Sequence, residues 1–227
     1  MKFRILFLAL ASIGLASATT IIQTKSFSFT PTASSSLTFD MFNNGLGTLT
    51  AITVTTNVTK SGGSLYVDND SVTGGSGIIT QSVTITLSGP PLITNSFGDI
   101  ASKSVTATSS YSATVGPDDG DGAGFQIGGV DYAGTTFGDT SASKSADVGS
   151  VVWGDYRTTG AGTYIITASG TQAVDYNSIS GVAFSGSPAA ASGDVTVTYT
   201  YTAAVPETSS ALLGGLGVLA LMRRRRL

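Results

Sequence analysis

The chain has 227 residues, a formal net charge of −3, and neither cysteine nor histidine. No disulfide can brace it, and the usual general base, the Ser/His/Asp triad and most zinc sites are excluded at once. Between the two ends, 13 aspartates face the five bases Lys25, Lys60, Lys103, Lys144 and Arg157; without clustered Lys and Arg, neither nucleic acid nor anionic lipid is an expected partner.

The first residues are Met1-Lys2-Phe3-Arg4, followed by an apolar run over 5–15 and then Ala16-Ser17-Ala18. A basic start, a short hydrophobic stretch and small residues before a cut site describe a signal peptide over 1–18. About 11 apolar residues fall short of a ~30 Å hydrocarbon core. Cleavage after Ala18 and passage through the Sec translocon are therefore expected.

From residue 19 onward the pattern is β. Val83, Ile85 and Leu87 alternate with threonines over 82–88, as Val195, Val197, Tyr199 and Tyr201 do over 194–201. Period-2 alternation puts one face in a core and the other in water. The stretch 48–58 alternates for part of its length. Further strands are expected at 22–29, 64–67, 102–115, 148–153, 163–169 and 181–184. Asn43-Asn44-Gly45, Ser61-Gly62-Gly63, Gly116-Pro117-Asp118-Asp119-Gly120 and Gly160-Ala161-Gly162 carry turn chemistry between the runs. About nine short strands without helical periodicity predict an all-β domain over 19–203: a two-sheet antiparallel β-sandwich, with a jelly roll as the nearest variant.

Three groups within this domain carry candidate chemistry. Asp118, Asp119 and Asp121 crowd a glycine-rich loop, and clustered carboxylates suit Ca²⁺, which takes six to eight oxygens. An EF-type register starting at Asp119 fails, because its third acidic position falls on Ala123 and no glutamate closes the loop. A solvated turn with opportunistic Ca²⁺ is the expectation, and no other cofactor is implied. Asp68-Asn69-Asp70 forms a second acidic turn, but nothing in sequence sets either carboxylate opposite another across a glycosidic bond. Trp153, Tyr156 and Arg157 are the candidates for a sugar platform, with rings to stack on pyranoses and a guanidinium to meet hydroxyls; the favoured reading has the lone Trp fill the core or seal one end of the sandwich.

The C-terminal segment, 204–227, is tripartite. Val205-Pro206-Glu207-Thr208 precedes an apolar helix expected over 209–222, and Arg223, Arg224, Arg225 and Arg226 follow. About 15 helical residues reach roughly 22 Å, short for a permanent span. The arginines orient the helix with its C-terminus in the cytoplasm. Glu207 is the chain's sole glutamate.

Residues 205–226 closely resemble the PEP-CTERM sorting signal of Gram-negative bacteria, with Thr208 standing where that signal has its second proline. The resemblance implies recognition by an exosortase-type membrane enzyme, a transient inner-membrane anchor, and a destination at the cell surface or in an exopolysaccharide matrix. Gln23-Thr24-Lys25-Ser26-Phe27-Ser28-Phe29, Phe39-Asp40 with Leu46-Gly47-Thr48-Leu49-Thr50, and the closing strand Val195 to Tyr201 resemble the choice-of-anchor E domain. That family has no assigned catalytic or binding residues, so none transfer. The expected role is non-enzymatic, a surface or matrix protein; the alternative is a carbohydrate-binding module or adhesin, and a glycan-active enzyme is the third class.

Overall fold

The computed structural model describes residues 17–30, 32–89, 104–176, 179–204 and 217. Residues 1–16, the sorting motif 205–208, the segment 209–222 except Gly217, and the arginines 223–226 lie outside the described residues. Among the described residues no helix is long and apolar enough to cross a membrane.

Two four-stranded antiparallel sheets dominate. The first runs β1 (Ala18–Phe29), β13 (Ala190–Ala203), β4 (Gly47–Ser61) and β9 (Thr140–Asp147). The second runs β2 (Ser34–Asp40), β11 (Thr163–Asp175), β6 (Gly75–Ser88) and β7 (Ser104–Val115). Numbered consecutively along the chain, these eight strands pair as 1-8-3-6 and 2-7-4-5, the order of a jelly roll. One apolar cluster holds the inner faces of both sheets, among them Val83, Ile85 and Leu87 of β6 and Val195, Val197 and Tyr199 of β13. The expected all-β, antiparallel architecture is thus observed.

The broken alternation near residue 50 has a local cause. Tyr201 pairs with Leu49 whereas Thr200 pairs with Ala51, so Thr50 is an extra residue in β4. A bulge flips the phase of every side chain beyond it. Leu49 and Ile52 both turn inward despite their odd spacing.

A third sheet, β12 (Val182–Ser187), β5 (Ser64–Asn69) and β8 (Tyr132–Thr136), extends the first. β4 runs into β5, β12 into β13 and β8 into β9, so three neighbouring strands bend together and keep their order. Gly62 (φ 64°) and Gly63 (φ 86°) make the bend in β4–β5, in a backbone region open chiefly to glycine. The bent part packs its own cluster, Leu65, Val67, Ile79, Ala113, Val115 and Phe137, against the outer halves of β6 and β7.

Sheet edges are closed by side chains. Gln23 on edge strand β1 donates through Nε2 to the Asp40 carbonyl (2.9 Å), and its Oε1 accepts from the Asp40 amide (2.8 Å). The amide group stands in for a strand partner and ties β1 to β2. On the opposite side, the Ser109 and Thr140 hydroxyls meet at 2.9 Å between β7 and β9.

The stretch expected as a strand at 148–153 is instead a 3-10 helix, Ser150–Tyr156. Its apolar residues do not alternate: Val151 is exposed, Val152 and Trp153 half-buried, and Tyr156 wholly buried. The turn drives Tyr156 into the core and leads to β10 (Arg157–Thr158), which pairs in parallel with β3 (Phe42–Asn43).

Candidate functional site

The acidic site forms at the far end of the third sheet, where β5 ends, β7 leaves and β8 begins. Residues 116–131 make one long loop fastened at its base. Gly116 N–H donates to the Val130 carbonyl (2.7 Å), Asp118 N–H to Ser71 (2.9 Å) and Asn69 N–H to Asp131 (3.1 Å). The buried Asn69 amide donates to the carbonyls of Thr73 (3.0 Å) and Gly116 (2.6 Å), binding the loop to the turn after β5. Gly120, Gly122, Gly124, Gly128 and Gly129 all adopt positive φ, so the chain can coil tightly.

Carboxylates organise the interior of this loop. Asp68 Oδ2 accepts from Gln126 N–H (2.7 Å), both Asp70 oxygens accept from Gly124 N–H (3.2 and 3.3 Å), and Asp131 Oδ2 accepts from Asp119 N–H (3.0 Å). Oxygens of Asp118, Asp119, Asp121 and Asp131 lie within 4.8 Å of one another. The first three are exposed, while Asp131 is 1% exposed. Some desolvation, and then the charges of Asp119, Asp68, Asp131 and Asp118, push the Asp121 carboxyl above its ordinary range. Asp121 is exposed, so water screens much of this. Every charge acting on it is negative.

Two of the three expected candidate groups change shape in three dimensions. Asp118, Asp119 and Asp121 do come together, joined by Asp131, which sequence reading missed. Asp68 belongs not to a separate turn but to β5, where its buried side chain faces the same loop. The Gly128-Gly129 pair just before an aromatic strand start was the available signal for Asp131. Trp153, Tyr156 and Arg157 do not share a face. The Trp153 indole donates to the Val148 carbonyl (2.9 Å) and packs on the core. Tyr156 lies edge-on to Tyr164 with centroids 5.1 Å apart, and only Arg157 is exposed.

A second buried polar group sits at the bend of the first sheet. Lys60 is buried, donates to the Gly62 carbonyl (2.8 Å) and lies 4.9 Å from the Phe137 ring centroid. Burial lowers its ammonium's pKa, against the opposing charge of Asp139. Gln81 beside it donates to the Ser187 carbonyl (2.9 Å). A surface recess lined by Thr30, Thr32, Gln172, Val174 and Pro188 offers hydroxyls and an amide but no charged side chain.

Among the described residues, fold and site together define an all-β protein of mainly antiparallel sheets with an acidic loop cluster. No family model and no curated protein matches the chain. Similar solved structures include one of the infectious bursal disease virus Gx strain, at 13% identity and a TM-score of 0.16 over 82% of this chain. Another is the crystal structure of the T13 particle of the same virus, also 13% identical, with a TM-score of 0.14 over 81% of this chain. The chain spans 37% and 36% of those proteins, and superpositions this poor carry no argument.

Proposed function

We propose that the chain is an exported, non-enzymatic surface or extracellular-matrix protein, delivered through an exosortase-type enzyme and associated with exopolysaccharide. The tripartite segment Val205 to Arg226 carries this reading. Its placement after the fold supports it. Strand β13, which leads into the motif, is flanked by β1 and β4 and ends at Ala203, with Ala204 N–H held by the Leu46 carbonyl (3.0 Å). A tether at residue 205 therefore pulls on an interior strand of the sheet rather than on a loose tail. Ala18 pairs with Thr202, so β1 begins beside the point where β13 ends.

The outer faces support a passive role. Threonine and serine pair across strands, Thr24 with Thr196 and Thr55 with Ser145 (both 2.9 Å) on one sheet, Thr84 with Thr106 (2.8 Å) on the other. Such rows stabilise the sheets while presenting hydroxyls and little charge.

The test is processing in a host carrying the sorting enzyme. Glu207→Ala should leave a longer, membrane-retained precursor, whereas wild type reaches the surface or medium; unchanged processing refutes the sorting assignment.

A further inference from the structure

The acidic loop contains an imbalance that the protein alone does not resolve. Asp131 and Asp68 are each 1% exposed, and the Oδ1 atom of each lacks any hydrogen-bond donor. A buried polar atom without a partner costs about 1–3 kcal/mol, and more when it is charged. Most native proteins avoid this, so an orphaned carboxylate oxygen points to a ligand that fills the gap. Asp131 Oδ1 is aimed at the cluster: a Cβ placed on Gly129 would meet both it and Asp119 Oδ2. Glycine, at φ 86°, leaves that space open between two like charges. The charges felt at neighbouring Asp121 are all carboxylates.

We propose that Asp118, Asp119, Asp121 and Asp131 bind one Ca²⁺ beside Gly129, with buried Asp68 adding negative charge at its flank. Ligand oxygens around Ca²⁺ at about 2.4 Å stand no more than about 4.8 Å apart, which is the spread of the four carboxylates. Four acidic ligands suit Ca²⁺ over Mg²⁺, which keeps several waters and takes one or two carboxylates. The ion would neutralise the Asp131 oxygen and clamp the loop 116–131 onto β5 and β8. Sites in extracellular modules bind at about 10⁻⁴–10⁻³ M, matching a permanent structural load rather than a signal. The site itself stands on the loop's geometry; only the expected affinity range rests on the export reading.

Calorimetry and thermal melting of the full chain in EGTA, millimolar CaCl₂ and millimolar MgCl₂ test it. Wild type should bind Ca²⁺ with measurable heat, melt higher in CaCl₂, and lose elastase- and chymotrypsin-sensitive cuts within 116–131, where Ala123, Phe125, Ile127 and Val130 stand. Asp131→Asn should reverse the ranking. In EGTA it melts at or above wild type, because a buried uncompensated charge is gone; in CaCl₂ it falls below, with binding at least about tenfold weaker. Asp119→Asn, at an exposed position, should weaken binding similarly. Absence of heat and of any melting shift in wild type overturns the site. Wild-type affinity in both variants does the same, and an equal response to MgCl₂ overturns the choice of ion.

Discussion

The hydroxyls of Tyr164 and Tyr199 meet 2.9 Å apart inside the sandwich, joining β11 of one sheet to β13 of the other. Tyr199 donates its proton to the Asp40 carbonyl (3.0 Å), so Tyr164 is the donor between the two rings. This short chain of hydrogen bonds spans the interface between the sheets.

Removal of either hydroxyl should have unequal effects. Tyr199→Phe strands both the Tyr164 proton and one acceptor position on Asp40, and is expected to cost about 1–3 kcal/mol. Tyr164→Phe leaves the Tyr199–Asp40 bond in place and should cost less. Urea midpoints of the two variants and the double variant form a cycle, and the double should cost less than the sum. Strict additivity would show that the hydroxyls do not interact.

Stability should rise with pH on the way to pH 10 because of Lys60. Its ammonium loses protons more readily in the fold than in the unfolded chain. Between its lowered pKa and 10.5 the unfolded state therefore binds more protons, and unfolding free energy climbs. The chain has no histidine or cysteine, and its tyrosines and terminal amine act alike in wild type and in Lys60→Met. Chemical denaturation from pH 7 to 9.5 should therefore show wild type gaining stability relative to Lys60→Met as pH rises, and parallel curves would refute the assignment. Above pH 10 the sign reverses. Burial holds Tyr199 up to about 12 and raises Tyr156 and Tyr164 further. The native state then keeps protons the unfolded chain releases, and each tyrosine removes about 1.4 kcal/mol per pH unit.

Trp153→Ala should act on stability. The indole is half-buried against the core and its N–H is satisfied by Val148, so truncation leaves a gap and an unpaired carbonyl. A loss of about 3 kcal/mol is expected from the urea midpoint, at the bottom of the range for large aromatic truncations because the ring is only half-buried. An unchanged midpoint, together with lost binding on a glycan array, would restore the sugar-platform role to this residue.

Strands whose side chains alternate strongly were legible: β4, β6, β7, β11 and β13 all fall on expected stretches, and the buried rows of β6 and β13 are those named from the pattern. Strand β9, Thr140–Asp147, was not. Its residues are small and mostly polar, it sits at a sheet edge, and pairing with the distant strand β4 makes it a strand. The 3-10 helix at Ser150–Tyr156 was read as a strand because its two valines and tryptophan are strand-prone, while the need to bury Tyr156 against Tyr164 decided otherwise.

By itself, then, the sequence determined that the chain is all-β, that histidine- and cysteine-based chemistry is absent from it, and that Asp118, Asp119 and Asp121 share a flexible loop. Those are consequences of side-chain identity and short-range period. Only the tertiary structure decided that Asp131 and Asp68 join them, that Tyr156 is core, and that Lys60 and Gln81 are sealed at a bend. Each of these depends on which distant backbone segments are brought together, and a charge's cost is set by that enclosure rather than by its neighbours in sequence.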